Sequence, residues 1–349
     1  MKKRITKIAA VIAACALAAA SLAACGSTGG ETPAPAGSSA APAPAGSSAA
    51  PAPEAGKTYT IGICQLVQHV ALDSATNGFK DALIAELGED AVVFDEQNAS
   101  GDSATCSTIC NGFASDNVDL ILANATPALQ AAASATNTIP ILGTAVTTYD
   151  AALNLTDYNG TVGGNISGTS DLAPLDQQAA MVKEIFPDAK TVGILYCSSE
   201  ANSVYQADEM EKELTALGYS VNRYTFSDSN DVSMVTQEAC DGNDVLYIPT
   251  DNTAASCTDA IDAVAKKAKT PIVAGEEGIL AGCGIVTLTI DYYGLGETTG
   301  KMAAKILTGE ADISTMPIEY YPNVTKEYNA ENAELYGITI PSDYVKYEG

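Results

Sequence analysis

Residues 191–196 read TVGILY, and after a polar loop residues 203–218 read SVYQADEMEKELTALG. Residues 59–64 read YTIGIC, and residues 73–88 read DSATNGFKDALIAELG. Each pair is a short run of β-branched and apolar residues followed by apolar residues at helical spacing that end on glycine. That is the pattern of a buried strand leading into an amphipathic helix. The correspondence continues outward: AVVF (91–94) with VNRYTF (221–226), DLILANATP (119–127) with DVLYIPTDN (244–252), and IPILGTA (139–145) with TPIVAGE (270–276), at offsets of about 125 to 132 residues. One β-α-β unit has therefore been built twice. Strands alternating with helices predict parallel sheets covered on both faces, so the predicted class is α/β, with two Rossmann-like lobes.

Two stretches follow the second copy, GIVTLTIDYYGLGETTGKMAAKILTG (284–309) and PIEYYPNVTKEYNAENAELYG (317–337). In a two-lobed protein they return to complete the lobes, which gives 57–169 with 291–314 as lobe 1 and 170–290 with 315–349 as lobe 2, joined by a hinge of three crossovers. Open parallel sheets hold ligands beyond the carboxyl ends of their strands. Two such lobes face each other across a cleft that a hinge can shut.

The amino terminus points to export. Lys2, Lys3, Arg4 and Lys7 precede an alanine-rich run that ends in Leu22-Ala23-Ala24-Cys25, so 1–25 is expected to be a lipoprotein signal peptide with Cys25 as the lipidated residue. Two acyl chains suffice for a stable membrane anchor. Residues 26–56 repeat PAPAGSSAA without any large apolar side chain and are expected to form a disordered tether. The chain carries 17 basic and 43 acidic residues, and loss of the four signal-peptide cations takes the formal charge from −26 to −30. Such a surface repels nucleic acid and anionic lipid. Seven cysteines follow Cys25, with one histidine and no CxxC in the whole chain, which disfavours a zinc site. Cys106 and Cys110 share a helix face, and the thiols read as small buried hydrophobes, although export leaves one or two disulfides open.

The lone histidine raises a catalytic question, because His69 stands between Cys64 and Asp73 in IGICQLVQHVALD (61–73). Cys64 falls inside the strand pattern and His69 past its end, so the two are expected to face different surroundings, and no catalytic residue is assigned. GLGETTGKM (294–302) lacks the phosphate-loop spacing and has Met302 where a magnesium-binding hydroxyl belongs. VGGNISG (162–168) has no amphipathic helix behind it. No cofactor is implied.

The strand-end loops are informative instead. They carry Gln65, Thr126, Thr147, Ser198, Asn202, Asp251, Glu277, Asp291 and Tyr292, and no lysine or arginine. A polyanion normally attracts an arginine clamp, so phosphates and dicarboxylates are disfavoured. An amino acid fits better. Its carboxylate suits the helix start at Thr126-Pro127, where a capping hydroxyl and N–H groups favour negative charge. Its ammonium would pair with Asp251 or Asp291. An aromatic wall would come from Tyr149, Tyr196, Tyr292 or Tyr293, since tryptophan is absent.

QHVALD (68–73), NASGD (98–102), ATPALQAA (125–132), GTSDLAPLDQQ (168–178), LYCSSEANS (195–203), IPTDN (248–252) and DYYGLGETTG (291–300) resemble the tryptophan/tyrosine type of ABC-transporter substrate-binding proteins. The resemblance runs from Tyr59 to about Pro341. It implies the type I periplasmic-binding-protein fold, a monomer that delivers an amino acid to a membrane permease driven by a separate ATPase, and pocket positions at Gln65, Thr126, Ser170, Asp171, Asn202, Asp251 and Asp291. The first lip departs from the family's Glu-His-Pro, reading Gln68-His69-Val70. A nucleoside, sugar or signal ligand on the same scaffold, a sensor subunit, and an exported thiol enzyme or hydrolase are the alternatives.

Overall fold

The computed structural model describes residues 56–348. The signal peptide, Cys25, and all of the tether but its last residue lie outside them. The chain runs β1 (Tyr59–Gln65), α1 (Val70–Leu87), β2 (Val92–Asn98), α2 (Ser103–Asp116), β3 (Leu120–Asn124), α3 (Thr126–Ala135), β4 (Ile141–Val146), α4 (Tyr149–Leu153) and β5 (Ile166–Ser170). It continues with α5 (Leu175–Ile185), β6 (Thr191–Cys197), α6 (Ala201–Ala216), β7 (Ser220–Phe226), α7 (Val232–Gly242), β8 (Val245–Ile248), α8 (Asn252–Ser256), α9 (Thr258–Ala268), β9 (Ile272–Ala274), α10 (Glu277–Gly282) and β10 (Val286–Ile290). Last come α11 (Tyr292–Leu307), β11 (Glu319–Tyr320), β12 (Val324–Tyr328), α12 (Ala330–Tyr336) and β13 (Val345–Lys346).

The strands form two sheets, ordered β11-β5-β4-β3-β1-β2 and β13-β12-β10-β9-β8-β6-β7. All pairings between named strands are parallel except β10 with β12. The duplicated cores β2-β1-β3-β4 and β7-β6-β8-β9 have the same order, as the repeat predicts. The central strands β1, β3, β6 and β8 are buried almost throughout, which explains their continuous apolar runs.

The chain passes between sheets after β5, after β10 and after β11. The third passage falls beyond Tyr320, because Glu319 and Tyr320 pair with Thr169 and Ser170 in the first sheet rather than joining lobe 2 from residue 315. A two-residue strand leaves no period in the sequence to reveal this. The phosphate-loop look-alike belongs to α11, and its glycines serve packing. A Cβ at Gly296 would stand 2.0 Å from the Ala75 carbonyl oxygen, and one at Gly78 would stand 2.1 Å from that of Tyr293. Only glycine lets α1 and α11 approach so closely.

Candidate functional site

The carboxyl ends of both sheets point into one interlobe cleft, and side chains meet across it. His69 Nε2 lies 3.3 Å from Asn252 Oδ1. Gln206 Nε2 donates to Thr147 Oγ1 at 2.9 Å. At the hinge, the Tyr292 hydroxyl donates to Asp171 Oδ2 at 3.1 Å. The lobes are thus in contact in a shut arrangement.

On the lobe 2 side, acidic groups are consumed by the lobe itself. Asp251 caps α8, accepting from Ala254 N at 2.8 Å, and its other oxygen takes Cys197 N at 2.6 Å. Glu200 holds the same helix start through Thr253 N at 2.9 Å and Asn252 Nδ2 at 2.6 Å. Glu276 caps α10 through Gly278 N at 2.7 Å and Ile279 N at 2.6 Å. Burial, reinforced by Glu200, pushes the Asp251 carboxyl up to about 7. Glu277 is half-buried and raised to about 8 by burial and by repulsion from Glu276, Glu327 and Asp291.

Lobe 1 differs. The start of α3 has no side-chain cap: Ala125 stands at the cap position, Pro127 has no N–H to offer, and Thr126 Oγ1 is buried without a partner. Ala125 adopts φ +90°, a conformation that favours glycine and costs about 1–3 kcal/mol in other residues. Ala145, at the neighbouring strand end, also has positive φ, at +51°. At the first crossover, just past β5, Asp171 is 3 % exposed, and while Oδ2 accepts from Tyr292, Oδ1 has no partner. Burial, reinforced by Glu276, raises its carboxyl to about 6 against the lowering hydrogen bonds from the Tyr292 and Thr147 hydroxyls. His69 Nδ1 and Thr148 Oγ1 are also buried and unpartnered, as is Asn202 Oδ1 on the lobe 2 side. A buried polar atom without a partner costs about 1–3 kcal/mol, so such a set around one cleft demands an explanation.

The other expected positions shape the cleft. Gln65 is saturated by Asp73, Val67 and Thr76. Ser170 donates to the Thr147 carbonyl at 2.8 Å and accepts from Leu172 N. Ser198 is exposed and bonds back to the Phe226 carbonyl. Asn202 Nδ2 donates to the Thr250 carbonyl at 2.9 Å. Asp291 is exposed, caps α11 through Gly294 N at 3.0 Å and accepts from the Tyr321 hydroxyl. Neither Asp251 nor Asp291 therefore offers a free buried carboxylate to an ammonium; Asp171 does.

Of the four aromatic-wall candidates, Tyr149 is bonded to the Gly143 and Thr169 carbonyls in the lobe 1 core. Tyr196 packs in the lobe 2 core. Tyr293 is exposed and bonded to Asp81, and Tyr292 packs in the lobe 1 core with its hydroxyl on Asp171. The Cys64, His69 and Asp73 side chains do not meet: Cys64 is in the core, His69 reaches Asn252 and Asp73 holds Gln65. Sequence reasoning missed Gln206. It lies one helical turn after Asn202 on the same face of α6, and that spacing could have revealed it.

Residues 60–348 match the family described as ABC transporter substrate binding protein. The chain belongs to this family. A tyrosine-binding protein of Clostridioides difficile is 36 % identical over 298 residues, covering 84 % of this chain and 86 % of that one. A Streptococcus domain crystallised with L-Trp is 31 % identical at a TM-score of 0.79, over 83 % of this chain and 99 % of that one. The ligand-free, open structure of a Clostridium difficile substrate-binding protein with adhesive properties is 37 % identical at a TM-score of 0.63, over 83 % and 100 % of the two chains. The higher TM-score goes with the lower identity.

Proposed function

We propose that this chain captures an aromatic L-amino acid between its lobes and presents it to a membrane permease with a separate ATPase, while anchored outside the cytoplasm through lipidated Cys25. The observation that carries this reading is a pair of orphaned atoms, Thr126 Oγ1 at the bare start of α3 in lobe 1 and Asp171 Oδ1 at the first crossover, just past β5. The first suits a carboxylate, through its hydroxyl, the N–H groups of the first turn and the helix dipole. The second suits an ammonium. β4 lies between the ends of β3 and β5, so the two groups start about 10 Å apart, a gap that two inward-reaching side chains and an amino-acid head group can fill.

The Tyr292 hydroxyl holds the other oxygen of Asp171, and the names of the related proteins support an aromatic side chain. Asn202 and His69 carry further unpartnered atoms from opposite sides of the cleft. A ligand that touches both lobes stabilises the shut form by its additional contacts to lobe 2, which is the signal a permease reads. The test is calorimetry of the purified, ligand-free protein against tyrosine, tryptophan, phenylalanine, leucine, a nucleoside and a hexose. Micromolar or tighter binding of an aromatic amino acid is expected. Binding of the nucleoside or hexose without any amino acid would overturn the reading.

A further inference from the structure

Three cysteines converge in lobe 1, away from the cleft surface. Cys64 lies on β1, two residues after Gly62 and on the same sheet face. Gly62 is covered by the Phe113 ring of α2, which would stand 2.6 Å from a Cβ placed there. Cys110 and Cys106 precede Phe113 by one and two helical turns on the same face. α2 runs back along β1, so the step from Gly62 to Cys64 is matched by the step from Phe113 to these thiols. Cys64 touches both Cys106 and Cys110, and all three are 0 % exposed. Hydrogen bonding among the thiols raises Cys64 and lowers Cys106.

We propose that Cys64 is the hub of an intramolecular disulfide, closed with Cys106 or Cys110 when the exported chain folds in the presence of a small-molecule disulfide, with the third thiol left beside it to exchange. The Cys106 thiolate attacks one sulfur of RSSR, forming a mixed disulfide, and the departing RS⁻ takes up the proton that Cys106 lost. The Cys64 sulfur then attacks the Cys106 sulfur and releases the second RSH, so two protein thiols are oxidised and one RSSR becomes two RSH. Attack of Cys110 on the Cys64 sulfur moves the bridge without net oxidation. Complete burial confines the entry of oxidant to folding or local opening. The bridge pins the end of β1 immediately before Gln65, whose amide fixes Asp73 and Thr76 at the lip of the cleft.

The test begins with the full chain unfolded in guanidinium chloride with reductant. It is then refolded with oxidised and reduced glutathione, alkylated under denaturing conditions and mapped by peptide mass without reduction. The expected product is a cross-link between the Cys64 peptide and the peptide carrying Cys106 and Cys110. It should shift wholly to Cys110 in Cys106→Ser and vanish in Cys64→Ser. The oxidised protein should unfold about 5–10 °C above the reduced one. Alkylation of all three thiols after refolding, or cross-linking only among other cysteines, would overturn the proposal. If Cys64→Ser does not fold, the singly substituted Cys106→Ser and Cys110→Ser decide, since each must keep a bridge to Cys64.

Discussion

Thr126 in lobe 1 and Asp251 in lobe 2 hold corresponding places in the duplicated sequence, 125 residues apart, at the start of a helix that follows the third strand of each repeat. In lobe 2 that helix start is closed by its own lobe: Asp251 and Glu200 take the N–H groups of Cys197, Thr253 and Ala254. In lobe 1 the start is left uncapped behind a strained Ala125, and the Thr126 hydroxyl is buried without a partner. The same scaffold position is structural in one half and open in the other. Duplication supplies two helix starts, and on the proposed reading the lobe that satisfies its own is the wall against which the open one works.

The comparison breaks most visibly if lobe 1 is made to resemble lobe 2. Thr126→Asp places a carboxylate at the start of α3, where it gains from the helix dipole but repels an incoming carboxylate. Calorimetry should show binding lost by more than about 1000-fold while the thermal midpoint stays level or rises. Asp171→Asn removes the charge proposed to meet the ammonium, and a loss of about 3–5 kcal/mol, beyond 100-fold, is expected with the fold retained. The opposite pattern belongs to Asp251→Ala. Two buried N–H groups lose their acceptor, so denaturant titration should show a loss of about 2–4 kcal/mol of stability with affinity changed far less.

A pH series sharpens the contrast. Burial raises both carboxyls, Asp171 to about 6 and Asp251 to about 7. A raised carboxyl pKa means that the fold prefers the protonated group. Its contribution to stability is therefore present at low pH and is lost as pH rises from the ordinary aspartate value through the raised one. Ligand reverses the preference at Asp171 alone, because an ammonium favours the charged form. Affinity should fall by up to about tenfold per pH unit below 6, with a proton released on binding near that pH, and Asp171→Asn should remove the dependence. The smallest effect belongs to His69→Ala, which removes a contact to Asn252 across the cleft. A loss of about threefold in affinity and a larger open fraction by small-angle scattering are expected.

Much of the fold was legible because a repeat is read twice. TVGILY confirms YTIGIC, and each helix stop is backed by its counterpart. The third crossing was hidden because Glu319 and Tyr320 form too short a strand to show a period. The site was only half legible. Threonine and aspartate are both cap-forming types, so composition cannot tell a cap that closes on its own helix from one left open; that distinction depends on the partners brought in by the fold. Asp171 entered through family resemblance, and its orphaned oxygen became visible only once Tyr292 was seen to occupy the other. Cys106 and Cys110 were readable as one helix face, but their convergence on Cys64 is tertiary.

The most direct test is the crystal structure of the protein with bound L-tyrosine. The ligand carboxylate should lie at the start of α3, bonded to Thr126 Oγ1 and first-turn N–H groups, with the ammonium on Asp171 Oδ1. A ligand whose ammonium sits on Asp251 or Asp291, or whose carboxylate lies away from α3, would contradict that placement.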